Sequence, residues 1–218
     1  DFCNKLAMIN RGKIDQKYPL FILYNKSNIP KRPENLKKYY NVLQGLVNGC
    51  NLLKKNKCKF IVIPCNTAHY WYDDLKKKIK IPIISMPKEV YSHTKKTCKK
   101  NSKIGILCTE ATLKTKVYNK YFDKNFNLVS PKKSIQTRSV NKTIKYVKLG
   151  KIKEAEKAIR PAINYLIRIK CKKIILGCTE LPIAIFAYKS FKKIKESKIF
   201  IDPNLLLANV SMKKYKSL

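Results

Sequence analysis

The chain has 218 residues, 44% of them hydrophobic, and a formal net charge of +36 from 49 Lys and Arg against 13 Asp and Glu. That is enough apolar chain for a buried core, in one domain or two modest ones, and no run approaches the roughly 18 apolar residues of a membrane helix, so a soluble protein without a membrane partner is expected. The charge suggests nucleic acid, but only five basic residues are Arg (11, 32, 138, 160 and 168) and the lysines scatter through every helix and loop, so no specific nucleic-acid partner is expected.

Taken in order, residues 2–10 predict a helix and 19–24 a short apolar strand; 25–33, rich in Asn and Pro, read as a loop. A long helix is expected over 34–55, with Leu36, Tyr39, Tyr40, Leu43, Leu46, Val47 and Leu52 on one stripe. Next comes Cys58-Lys59-Phe60-Ile61-Val62-Ile63-Pro64-Cys65-Asn66-Thr67, a buried parallel strand ending at a cysteine, followed by a polar pair of the kind that caps a helix. A helix (71–78), a strand (81–86) and a helix within the Lys-rich stretch (89–99) follow. The second half predicts a strand at 104–107, a polar turn at 109–112, a helix at 113–122, a strand at 126–130 and a loop at 131–136. Helices at 140–149 and 152–169 are separated by Gly150 as a stop. Then the cysteine stretch returns as Cys171-Lys172-Lys173-Ile174-Ile175-Leu176-Gly177-Cys178-Thr179-Glu180, with a short strand at 198–203 and a final helix from Asn204.

The chain is thus an internal repeat of alternating helix and strand, which predicts an α/β fold: two pseudo-symmetric three-layer domains with mainly parallel sheets and the active site in the cleft between them. The first domain spans 1–87 and is completed by the helix 204–218; the second spans 88–203. By the repeat, the first half is expected to lack the opening strand and turn that the second half has at 104–112. Eight cysteines without a CxxC pair predict neither a disulfide scaffold nor a metal site, and a reducing, cytoplasmic setting is expected. Cys3, Cys50, Cys58, Cys108 and Cys171 sit in apolar contexts as packing residues. Cys65 and Cys178 stand at strand C-termini, where open α/β sheets bind ligands and helix N-termini receive anions.

Two like groups at matched positions suit the inversion of a carbon that carries a hydrogen. One thiolate removes the proton from one face, one thiol returns a proton to the other, and the roles exchange with direction. A thiol can serve because its ordinary pKa near 8.5 falls to roughly 3.5–7.5 beside a helix N-terminus or cations.

Pro64-Cys65-Asn66-Thr67-Ala68-His69 and Gly177-Cys178-Thr179-Glu180 resemble the two signature motifs of the aspartate/glutamate racemase family, the cofactor-independent amino-acid racemases, and the resemblance extends over essentially the whole chain. It implies catalysis by Cys65 and Cys178, no cofactor and no metal. It implies an acidic amino-acid substrate contacted by Asn66, Thr67, Thr112, Thr179 and Glu180, and a homodimer. Residues 25–32 are similar to the family loop whose arginine meets the substrate, which points to Arg32; residues 144–150 resemble the segment whose lysine approaches it, which points to Lys148. Glu180 resembles the aspartate-racemase branch, since glutamate racemases usually carry His there. Lys31 departs from the acidic residue usual before the arginine.

The residues alone leave other readings open. In so basic a chain Arg32 and Lys148 could be ordinary surface cations, and His69, four residues after Cys65, could be a base, a metal ligand or a helix-start residue, the last being preferred. A related isomerase acting on maleate or hydantoins, a decarboxylase, and a silent homologue that binds a small anion are the alternatives; two thiols favour the two-base reaction.

Overall fold

The structure is a computed structural model that describes residues 1–9, 14, 16, 18–30, 39–187 and 198–218. The described chain divides into two compact units, residues 1–86 with 204–218, and residues 87–203. In the first, α1 (Phe2–Ile9) and α2 (Tyr39–Lys55) precede β1 (Ile61–Val62), a 3-10 turn (Thr67–Trp71), α3 (Tyr72–Lys78) and β2 (Ile83–Ile84). α4 (Met86–Thr97) then leads to β3 (Lys103–Cys108), α5 (Glu110–Lys114), α6 (Asn119–Phe122) and β4 (Asn127–Val129). α7 (Lys133–Ile135), a π-helical stretch (Gln136–Asn141), α8 (Lys142–Lys148) and α9 (Ile152–Arg168) precede β5 (Lys173–Gly177). The chain closes with α10 (Leu181–Phe186), β6 (Phe200–Ile201) and α11 (Pro203–Tyr215).

The fold class is α/β, as the alternation predicts. Among the described residues every strand pairing is parallel: β1 with β2 in the first unit, and the order β4-β3-β5-β6 in the second. The second core lies between β3 and β5 and the helices over them, with Leu107, Ile159, Ile163, Leu166, Ile174 and Leu176 removed from solvent. Burying an aliphatic side chain of this size is worth about 1.5–3 kcal/mol, which is why the apolar runs of β3 and β5 lie as strands beneath the apolar stripe of α9. The first unit packs α2 and α3 on β1 and β2 through Val42, Leu43, Val47, Trp71 and Leu75. Gly49 lets Tyr24 lie against α2, since a Cβ there would come within 3.3 Å of the Tyr24 ring.

The repeat is deeper than its letters. Each cysteine strand is launched from a helix by the same left-handed stop, Lys57 at φ 59° and Lys170 at φ 62°. Cys58 N–H then bonds Leu53 C=O at 3.2 Å, and Cys171 N–H bonds Leu166 C=O at 3.1 Å. Both are helix C-caps of the kind glycine usually fills, filled here by lysine.

Four expectations are corrected. Residues 19–24 form no strand, since no described strand pairs with their N–H and C=O groups. The helix expected over 113–122 is two short pieces, α5 and α6, broken where Lys116 takes φ 51°. The loop expected at 131–136 is already helical from Lys133, since Gln136 and Ser139 find buried partners that a solvent loop would not need. α4 begins at Met86 and not at 89, with Pro87 at a first-turn position where its absent N–H has no helical partner to lose.

Candidate active site

Cys65 follows β1 through Ile63 and Pro64, and its N–H folds back on Ile63 C=O at 2.7 Å, a tight three-residue turn. The turn is held by His69. The Met86 N–H donates to His69 Nε2 at 3.0 Å, so the proton of the neutral ring is on Nδ1, which donates to Cys65 C=O at 2.9 Å. Both ring nitrogens are therefore occupied in a side chain that is 3% exposed, and His69 is a bolt for the backbone of the cysteine turn. That favours the helix-start role over a base or metal ligand. Asn66 and Thr67 are buried beside Cys65, which is half-buried. Asn66 stands at the N-cap of the 3-10 turn, but its backbone is already helical and its side chain makes no cap bond, contrary to the expected cap.

Cys178 follows β5 in the second unit and is buried. Its thiol donates to Glu180 Oε2 at 3.0 Å, and Thr179 Oγ1 donates to the same oxygen at 2.9 Å. Here too the expected helix cap is absent: Glu180 precedes α10 without a side-chain cap bond because its carboxylate is turned back to Cys178. Burial pushes the Cys178 thiol well above the ordinary cysteine range, and the charge and hydrogen bond of Glu180 push it further. Burial also works against the Glu180 carboxylate, but the bonds from Cys178 and Thr179 and the cation of Lys148 outweigh it and hold its pKa below the ordinary value. Lys148, at the end of α8, reaches Glu180 Oε1 at 3.6 Å with a side chain 64% exposed, so the pair is solvent-screened. The thiol proton is thus held on sulfur by a carboxylate that stays ionised.

Thr112 lies in the first turn of α5, so the turn expected at 109–112 is helical from Glu110. Thr109 caps α5 by accepting from Thr112 N–H at 3.2 Å, and the two hydroxyls meet at 3.0 Å. Arg32 lies outside the described residues. Of the other thiols, Cys50, Cys108 and Cys171 are buried and raised by burial, Cys50 to about 11, and Cys108 stands on β3 opposite Gly177, next to Cys178. All eight cysteines are free. Among the described residues no group of three or more His, Cys, Asp or Glu side chains is placed to hold a metal ion.

Two features escaped the sequence reading. Tyr118 is buried near enough to Cys108, Asp202 and Cys178 for their charges to raise its hydroxyl pKa, after burial itself. A polar chain also runs from Cys108 C=O to Gln136 Nε2 (2.9 Å), on to Asn141 and from Asn141 Nδ2 to Glu110 (2.7 Å). Its members come from three separate elements. No local pattern announces them.

The Asp/Glu/hydantoin racemase profile matches residues 1–210. The chain belongs to this family. As a member it is an isomerase of the amino-acid racemase class. It is similar in structure to the aspartate racemase of Picrophilus torridus, with a TM-score of 0.81 and 31% identity over 99% of this chain and 87% of that one. In sequence it is 25% identical over 181 residues to the broad specificity amino-acid racemase RacX of Bacillus subtilis, covering 83% of this chain and 76% of that protein. It is 24% identical over 174 residues to a glutamate racemase of Persephonella marina, covering 78% of this chain and 65% of that enzyme. Among the described residues no helix of this racemase is long and apolar enough to cross a membrane.

Proposed function

We propose that the chain interconverts the L and D forms of aspartate by proton exchange at Cα, with Cys65 and Cys178 as the two bases and no cofactor. The observation that carries this reading is the unequal state of two thiols at matched strand ends: Cys178 donates its proton to Glu180 at 3.0 Å, whereas Cys65 has its backbone, not its sulfur, secured by His69. A two-base racemase needs one thiol loaded and one able to accept. In the resting arrangement Cys178 is the acid and Cys65 the base, and one turnover exchanges the roles.

Aspartate is favoured as substrate by the 31% identity to the Picrophilus torridus aspartate racemase and by Glu180, which the family resemblance ties to the aspartate branch. Glu180 offers an anion for an α-ammonium group, while Arg32 and Lys148 offer cations for carboxylates. Asn66, Thr67, Thr112 and Thr179 complete the proposed contacts with neutral donors. Removing the proton from Cα leaves its electron pair, which spreads onto the substrate carboxylate, and fixed donors stabilise the added negative charge. The similarity to RacX favours a second reading, in which the same pair of thiols serves several amino acids.

The test follows solvent deuterium into Cα of the L and D forms of aspartate, glutamate and a panel of neutral amino acids. Exchange of both aspartate enantiomers ahead of all others, abolished by thiol alkylation, supports the proposal. Broad exchange supports the second reading, and exchange confined to glutamate overturns the substrate assignment.

A further inference from the structure

The polar chain from Cys108 to Glu110 has one possible direction. A backbone carbonyl and a carboxylate only accept, so Gln136 must turn its nitrogen to Cys108 C=O and Asn141 must turn its nitrogen to Glu110. Asn141 Oδ1 is then left to accept the second N–H of Gln136 Nε2, at 2.9 Å. Amides are the neutral side chains that can fill both middle places. In an α-helix of 3.6 residues per turn, residues five apart point about 140° away from one another. Gln136 and Asn141 meet because the helix between them is π-helical, with bonds that span five residues. Gln136 is 3% exposed, and its Oε1 receives no hydrogen bond from the described residues. It is placed for what it donates.

The two ends of the chain fall on either side of Thr109. Residue 108 is held by its backbone and residue 110 by its side chain. Thr109 in turn caps α5 and meets the Thr112 hydroxyl at 3.0 Å. α5 has five residues, too few for a helix that stands by its own hydrogen bonds, so what fixes its first turn also fixes where the Thr112 hydroxyl points. β3 keeps five ladder pairs with β5 apart from this chain, and the Cys178 thiol has its own partner in Glu180. The first turn of α5 and the thiol are therefore held separately.

We propose that Gln136, acting through Cys108 C=O, Asn141 and Glu110, is a positioning residue that aims the Thr109–Thr112 hydroxyl pair and so sets how tightly the racemase holds its substrate. The inference rests on the reading of Thr112 as a substrate contact. Such a contact is made before and during proton transfer alike, so its loss raises KM and leaves kcat in place.

Kinetics and hydrogen exchange on the 218-residue protein test this, using whichever amino acid wild type racemises fastest. Gln136→Met and Glu110→Ala should each raise KM by roughly 2- to 12-fold, the range of one net hydrogen bond, with kcat within about twofold of wild type. Glu110→Gln keeps an acceptor for Asn141 and should behave as wild type. The double variant Gln136→Met with Glu110→Ala should match the larger single effect, since one chain can be cut only once. In the absence of substrate, amides of residues 109–113 should exchange faster in both single variants.

A fall in kcat with KM unchanged overturns the proposal, because a merely structural loss lowers the amount of active enzyme and not its grip on substrate. So do effects that multiply in the double variant, or a Glu110→Gln variant no better than Glu110→Ala. Should Gln136→Met fail to fold, the exposed Glu110 pair decides by the same KM and exchange readouts. The exchange arm needs no turnover, so unchanged exchange at 109–113 overturns this inference, whereas a wild type that racemises nothing overturns the proposed function.

Discussion

The turn after β1 and the turn after β5 carry equivalent cysteines and hold them by opposite means. At Cys65 the partner is four residues on: His69 takes the backbone carbonyl and ties the turn to Met86 N–H, without using the sulfur. At Cys178 the position four residues on is Pro182, which has no side-chain hydrogen bond to offer, and the partner is two residues on: Glu180 accepts the thiol proton itself. One turn fixes where a thiol is; the other fixes what protonation state it has. A repeat that keeps backbone register can thus diverge in chemistry through one side chain on each copy.

The largest effect should separate the thiols as chemistry from the thiols as structure. Cys65→Ala and Cys178→Ala should each lower racemisation in both directions by roughly 10² to 10⁴, the usual range for loss of a positioned acid or base. Cys178→Ser keeps a donor to Glu180, so it should match wild type in a urea melt yet share the activity loss. Near-normal turnover by either Ala variant would end the two-base assignment.

His69→Ala should cost about 2–4 kcal/mol, because it leaves the Met86 N–H and the Cys65 carbonyl without their buried partner. The loss should be read in the urea midpoint, and a shift under about 0.5 kcal/mol, ordinary for surface changes, would show that the bolt is not needed.

Glu180→Gln should change the thiol before it changes the fold. With the carboxylate gone, the Cys178 pKa falls, more thiolate is present at mildly alkaline pH, and alkylation of Cys178 followed by mass spectrometry should quicken; a slower or unchanged rate contradicts the assignment. The pH dependence of stability carries two signs. Cys178 has a raised pKa in the folded protein, so its contribution is complete below the unfolded thiol value of about 8.5 and is lost as pH rises above it. Wild type should therefore lose more stability than Cys178→Ser on the alkaline side. Glu180 is depressed, so its contribution is present above the unfolded value of about 4.3 and is lost as pH falls through the folded one. Glu180→Gln should flatten the acid limb.

The smallest effect belongs to the feature the two copies share. Lys57→Gly and Lys170→Gly should each stabilise by up to about 1 kcal/mol, since each lysine occupies a left-handed position that costs an L residue that order of energy. Equal gains in the two would show that the caps remain equivalent where the sites have diverged.

What the sequence determined by itself is the repeat and its consequences. Two apolar runs ending in Cys65 and Cys178, separated by amphipathic helices, are sufficient for a parallel α/β fold, because runs of that length and branching are stable only when covered on both faces. The family signatures placed the paired thiols, Asn66, Thr67, Thr179 and Glu180 in two short contexts, Pro64–His69 and Gly177–Glu180, that local letters can carry. The tertiary structure decided what those letters do. Residues 19–24 have a strand's composition but no ladder, since a strand exists only by hydrogen bonds to a neighbour and composition cannot supply one. Glu180 reads as a helix cap yet binds a thiol, because the choice between an N–H and a sulfur depends on backbone angles fixed by packing around β5. His69 has both nitrogens committed only because residue 86 is brought to it across the sheet, a contact 17 residues away along the chain. Tyr118 and the Gln136 to Glu110 chain were invisible for the same reason: a buried polar contact is specified by which elements meet, and that is set by the burial of the apolar residues around them, not by the polar residues themselves.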